Sequence, residues 1–152
     1  MDMTVSREID ASPDVVWEVI TDIEHSPQVI SSIQAIDRLD DGDGFGVGTR
    51  WRETRTMFGR EAEEVMEVSA IEAGVSYTVV AVSGKTVYTS VFRLDPIEGS
   101  RSRLTMTFGA ESKGLAKLMG ATIGRLFRGA SRKMLERDLD DIAAAAEGRS
   151  AS

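Results

Sequence analysis

Glu53, Arg55 and Glu64 are the residues of this chain best suited to chemistry. Side chains alternate across a strand, so apolar neighbours mark the set that points inward. Trp51 and Met57 place Glu53 and Arg55 on the inner face of one strand-like segment. Ala62, Met66 and Val68 bring Glu64 inward on the next. Farther along, Tyr88, Ser90, Phe92 and Leu94 form one inner set, and Leu104, Met106, Phe108 and Ala110 another; Tyr77 fits either face. Buried charges are costly unless paired, so the three ionisable groups are expected to compensate one another. One reading is a polar anchor for a ligand, or an acid/base site in which a perturbed carboxyl works with an arginine or tyrosine that stabilises an enolate. Glu64, Arg55 and Tyr88 are the catalytic candidates. The other reading is a structural ion pair, or a strand register that leaves all three in solvent.

Most other chemistries lack their residues. His25 is the single histidine and there is no cysteine, so a multi-histidine or thiolate metal site, a thiol nucleophile and a disulfide framework are excluded. A Ser-His-Asp triad would need His25, which reads instead as a surface or rim residue. Asp40-Asp41-Gly42-Asp43-Gly44 lacks the downstream ligand spacing of a calcium loop and reads as a polar turn. Gly42, Gly44, Gly46 and Gly48 neither follow a Rossmann strand nor open a long helix, so nucleotide binding has no support. Gly120 and Gly124 have the spacing of a transmembrane dimer motif, but their surroundings are too charged to span a bilayer. No metal or cofactor is expected.

At 152 residues, with 41% hydrophobic and 28% charged residues, the chain can bury a sizeable core. A single domain over 1–147 with a flexible tail at 148–152 is expected. No apolar run approaches the roughly 20 residues needed to cross a bilayer. The start, Met1-Asp2-Met3-Thr4, has neither basic region nor apolar stretch, so a cytoplasmic location is the expectation. The net charge of -7 argues against nucleic acid as a partner. Charge is uneven, however: Lys113 to Arg137 carries +6 and the remainder -13. That basic stretch reads as a solvated helix face, or as a contact for an anionic partner or a membrane surface.

The elements that must position these side chains are legible in outline. Residues 3–10 alternate as a strand. Ser12-Pro13-Asp14 is a helix start, since serine caps free N–H groups, proline suits the first turn and aspartate favours the positive dipole end. Val16, Trp17, Val19, Ile20 and Ile23 give that helix an apolar face, Ser26-Pro27 interrupts, and 29–32 is expected as a second short helix. Strands are expected at 36–40, 49–58, 61–72, 76–82, 86–94 and 102–110, with a polar loop at 96–101; such spacing indicates an antiparallel meander. A long amphipathic helix follows from 113 to about 146. Leu115, Leu118, Met119, Ile123, Leu126, Phe127, Ala130 and Met134 share one arc, with Lys117, Arg125, Arg128 and Arg132 opposite. Leu135, Leu139 and Ile142 lie some 100° or more around from that arc by helical period. Gly120, Gly124 and Gly129 each cost about 1 kcal/mol in a helix interior. The helix is therefore expected to bend, break near Gly129, or turn its second stripe to another surface. Strands followed by one long helix imply a curved sheet gripping a helix, with a cavity between them.

Three stretches carry a family resemblance. Ala11-Ser12-Pro13-Asp14-Val15-Val16-Trp17-Glu18-Val19-Ile20-Thr21-Asp22 resembles the first helix of the START-like superfamily (SRPBCC), the polyketide cyclase/dehydrase and lipid-transport group. Val47-Gly48-Thr49-Arg50-Trp51 is similar to its Gly-Thr strand opening, and Arg103-Leu104-Thr105-Met106-Thr107 to its last strand. The resemblance spans about residues 3–146. It implies an α+β helix-grip fold: a curved antiparallel sheet of six or seven strands around a long C-terminal helix, with two short helices after the first strand. Members bind lipids, sterols, quinones, polyketides or plant hormones, and some are cyclases or aromatases; fold alone does not choose between these. The leading expectation is a non-catalytic binding protein for a small, mostly hydrophobic ligand. Its site would comprise Trp51, Glu53, Arg55, Met57, Glu64, Met66, Tyr88, Phe92, Met106, Phe108, Met119, Ile123 and Phe127. The alternatives are a polyketide cyclase or aromatase, and a protein-interaction module using the basic face of the last helix.

Overall fold

The computed structural model describes residues 2–57, 59–83, 85–112 and 115–151, without the side chains of residues 2, 57, 83, 112 and 115–131. The chain runs β1 (Asp2–Ile9), α1 (Pro13–Thr21), a 3-10 turn (Ile23–His25), α2 (Ser26–Val29), β2 (Ile33–Arg38), β3 (Arg50–Met57), β4 (Arg60–Glu72), β5 (Ser76–Ser83), β6 (Thr86–Ile97), β7 (Arg101–Ser112) and α3 (Leu115–Ala151). The strands form one curved antiparallel sheet in the order β1-β7-β6-β5-β4-β3-β2. With the long C-terminal helix, this is the α+β helix-grip architecture, with seven strands.

Register shifts between Ile33 and Ala35, and between Val68 and Ala70, mark where β2 and β4 depart from regular pairing. Such irregularities bend a strand and help the sheet curl. At the β4–β5 turn Gly74 takes φ 78°, a conformation disfavoured for residues with a Cβ. Ser12 caps α1, its hydroxyl accepting from the Val15 amide at 3.4 Å.

Several elements differ from the sequence expectation, β2 among them, at Ile33–Arg38 rather than 36–40. The second helix begins at Ser26 rather than 29, because Pro27 sits in its first turn, where a missing N–H costs nothing. β6 and β7 extend the hairpin through Ile97 and Arg101, so the polar loop shrinks to a three-residue turn. Pro96 is tolerated there because β5 pairing stops at Arg93, leaving only β7 beside it.

α3 is continuous through Gly129 and reaches Ala151. Its second stripe enters the core: Leu135, Leu139, Ile142, Ala143 and Ala146 are buried with Ile9, Val16, Val68 and Leu104. The helix rests mainly on β1 and α1. Acidic side chains along the same half fasten it down. Asp140 pairs with Arg7. Glu147 accepts from the Asp10 amide at 3.0 Å, and Asp141 accepts from the Ser31 amide and hydroxyl at 2.9 and 3.0 Å.

Candidate functional site

Between the inner sheet face, α1–α2 and α3 lies a cavity of about 170 Å³. Its walls are mostly apolar. Val19, Ile20 and Ile23 come from α1 and the 3-10 turn; Val29, Ile30 and Ile33 from α2 and the start of β2; Met134, Leu135 and Ile142 from α3. The sheet contributes Trp51, Ala62, Met66, Tyr77, Val79, Phe92, Met106 and Phe108. Tyr77 is turned inward: its ring stacks on Phe92 at 4.8 Å between centroids and meets Phe45 and Trp17 edge-on. Its hydroxyl donates to the Ile20 carbonyl at 3.2 Å, tying the sheet to α1. Complete burial raises the Tyr77 pKa, so the hydroxyl stays a neutral donor.

One side of the cavity is polar. Arg55 Nε donates to Glu53 Oε2 at 3.2 Å, and Arg55 Nη1 donates to Asp138 Oδ2 at 2.8 Å and to Ser32 Oγ at 3.0 Å. The other Glu53 oxygen accepts from Trp51 Nε1 at 3.3 Å, and Asp138 Oδ1 accepts from Ser32 Oγ at 3.1 Å. Burial opposes the Arg55 charge, but the Asp138 and Glu53 carboxylates outweigh it and raise its pKa. Burial also lifts the Asp138 carboxyl, while the Arg55 guanidinium works against that lift.

Glu64 stands apart. It is paired directly across the ladder with Glu53, while Arg55 faces Ala62. Among the described residues Glu64 has no hydrogen-bond or ion-pair partner, because Arg55 leans the other way, toward Ser32 and Asp138. Burial raises the Glu64 pKa, the Glu53 charge adds to the rise, and Arg55 offsets part of it. Tyr88, stacked on Phe108 at 5.8 Å, has its pKa raised by burial and then by the Glu64 charge.

Of the residues singled out from sequence, Trp51, Glu53, Arg55, Glu64, Met66, Tyr88, Phe92, Met106 and Phe108 all line this one cavity. Met57, Met119, Ile123 and Phe127 lie outside the residues whose side chains are described, as do Lys117, Arg125 and Arg128 of the basic face. Arg132 is exposed and donates to the Thr4 carbonyl. The expected mutual cluster of Glu53, Arg55 and Glu64 is replaced by one in which Asp138 takes the place of Glu64. Asp138 had a signal: it interrupts an apolar arc, four residues after Met134 and four before Ile142. Val19, Ile20 and Ile23 carried the helical apolar period but no sign that they face a cavity, and Ser32 had no signal.

His25 is solvent-exposed and bonds Asp22 at 2.9 Å. In the 40–44 turn, the Asp40 carboxylate accepts from Arg38 and from the Gly42 and Arg50 amides. Among the described residues no three His, Asp or Glu side chains converge to hold a metal ion, and no helix is long and apolar enough to cross a membrane.

A curved sheet closed by a long helix over an apolar cavity defines a helix-grip architecture. Residues 1–147 match the family described as polyketide cyclase / dehydrase and lipid transport, and the chain belongs to that family. Solved structures agree on the fold. A Thermus thermophilus protein superposes with TM-score 0.81 at 17% identity, covering 99% of each chain. The Zhui aromatase/cyclase from a Streptomyces species superposes with TM-score 0.82 at 14% identity, over 98% of this chain and 94% of its own. A START superfamily protein from Mycobacterium smegmatis does so with TM-score 0.70 at 17% identity, over 98% and 96%. No functionally curated protein matches the chain.

Proposed function

We propose that this protein binds and carries a small, mostly hydrophobic molecule in the cavity between sheet and α3. The observation that carries the reading is the cavity itself, to which every element that bounds it contributes apolar side chains. Apolar pockets with a few convergent polar groups are the usual form of a small-molecule site. Met66, Met106 and Met134 suit a pocket that adapts to ligand shape. Membership of a family that includes lipid transport supports it further. The test is mass spectrometry of the purified protein, native and then after denaturation and organic extraction. A stoichiometric small molecule that leaves on denaturation is the expected result. Absence of any bound molecule, together with no uptake of apolar probes, would refute the reading.

One observation favours a second reading, a cyclase or dehydrase activity. Glu64 offers a carboxyl without a partner among the described residues, raised by burial, on the same wall as the Tyr88 hydroxyl. A proton donor or acceptor in an apolar cavity is what enol chemistry on a polyketide-like substrate requires. Under this reading Glu64→Gln abolishes turnover of such a substrate and leaves its affinity within a few-fold. Undiminished turnover in the variant would remove Glu64 from the chemistry, and no turnover by the wild type would leave binding as the function.

A further inference from the structure

Resting on the binding reading above, we infer that the ligand's polar end is a hydrogen-bond donor without negative charge, an alcohol, phenol or amine, and that the cavity rejects carboxylates. The polar wall carries three carboxyl groups, Glu53, Glu64 and Asp138, against one guanidinium. Among the described lining residues Arg55 is the one basic side chain. It is already shared between Glu53 and Asp138. With every group ionised, this wall holds two negative charges in excess.

The hydrogen-bond inventory points the same way. Both Glu53 oxygens and both Asp138 oxygens are engaged by Trp51, Arg55 and Ser32. Among the described residues Glu64 is the carboxyl left with free acceptor capacity. A donor head group gives it the partner that no described residue supplies. It also adds positive potential between Glu53 and Glu64, which face each other across the ladder. A carboxylate head group does the reverse. It would add a third uncompensated negative charge to a desolvated wall, where like charges at close range repel strongly. The spare Arg55 nitrogen does not reverse this, since the guanidinium charge is already balanced twice over.

Three probes with one alkyl chain separate the possibilities: decan-1-ol, decylamine and decanoate, each displacing a fluorescent apolar probe from the full-length protein at pH 7.5. The alcohol, the amine or both should bind about tenfold or more tighter than decanoate, the ratio that roughly 1.4 kcal/mol of repulsion gives. Tighter binding by decylamine than decanol would assign a cationic ligand; the opposite order would assign a neutral one. In Glu64→Gln the disadvantage of decanoate should shrink several-fold, with folding checked by circular dichroism. Decanoate binding as tightly as both others in the wild type overturns the inference and leaves the binding reading intact. An unchanged decanoate disadvantage in Glu64→Gln overturns the assignment to Glu64. If the apolar probe itself does not bind, the binding reading falls and this inference with it.

Discussion

Replacing Arg55 with methionine should cost far more stability than replacing either of its partners. Arg55 is 15% exposed, Glu53 10% and Asp138 8%, so all three charges sit largely out of water. Removing one partner of a buried ion pair typically costs about 3–5 kcal/mol, because the orphaned charge remains buried. Arg55→Met orphans two carboxylates at once and leaves Glu64 opposite Glu53. Asp138→Asn is milder. Arg55 keeps Glu53 and Ser32, and the loss is that of a charge-assisted hydrogen bond, about 2 kcal/mol. For a chain of this length about 1 kcal/mol moves Tm by roughly 2–4 °C, so Arg55→Met should lower it by roughly 10 °C and Asp138→Asn by about half that. The deficit should also depend on pH. Burial already raises the Asp138 carboxyl, and without Arg55 only the Ser32 hydrogen bond holds it down. A carboxyl raised in the folded state binds more protons folded than unfolded, so stability falls as pH rises. The Arg55→Met deficit should therefore be deepest above neutrality and shrink as pH drops toward the ordinary carboxylate range. Urea unfolding at several pH values measures both. A loss under about 1 kcal/mol that is flat with pH would mean the cluster is solvated, and the argument for a buried polar wall would fail.

Glu64→Gln should stabilise the protein at pH 7.5 by about 0.5–1 kcal/mol, the scale of a like-charged cross-strand pair. Because the Glu64 pKa is raised in the fold, the wild type loses stability as pH rises through that value, so the variant's gain should vanish in acid; an equal gain at low pH would point away from charge repulsion. Tyr77→Phe should cost about 1–2 kcal/mol by stranding the Ile20 carbonyl, and should speed amide exchange at the end of α1 more than in β5. Uniform protection across both elements would mean the bond does not hold α1 to the sheet.

The fold was legible because its signals are local and repeated. The alternation of 51–57 and 62–68 puts Glu53, Arg55 and Glu64 on one face, and the register keeps all three there, because the β4 irregularity begins only beyond Val68. What alternation cannot convey is which neighbour a long side chain chooses. Glu64 and Arg55 share a face, yet the guanidinium reaches Ser32 and Asp138, over 20 and over 80 residues away along the chain. That choice depends on where α3 lands. The helix position is set by its buried stripe together with acidic residues that look like ordinary surface charge: Asp140 against Arg7, Asp141 against Ser31, Glu147 against the Asp10 amide. Tyr77 illustrates the same limit. Its segment is weakly patterned, and only the ring stack on Phe92 and the reach to the Ile20 carbonyl fix its direction.

These long-range contacts also explain why a cavity survives in a chain that could have collapsed on it. Apolar walls attract one another, and a void forfeits contacts on every side that lines it. Here the walls are held from two sides by interactions that bypass the void. Arg55, Glu53, Asp138 and Ser32 join β3, α3 and the start of β2 through charged hydrogen bonds whose geometry is lost if the walls approach. Trp17, Phe45, Tyr77 and Phe92 join α1, the 39–49 loop, β5 and β6 through ring contacts, locked by the Tyr77 bond to α1. Each strut is individually worth only a few kcal/mol, which is comparable to the cost of a modest apolar cavity. Stability and the capacity to hold a ligand are therefore coupled. A variant that loosens the polar strut, such as Arg55→Met, should lose bound hydrophobic probe in parallel with its fall in Tm. A variant with full probe occupancy despite that fall would show that the aromatic side alone keeps the space open.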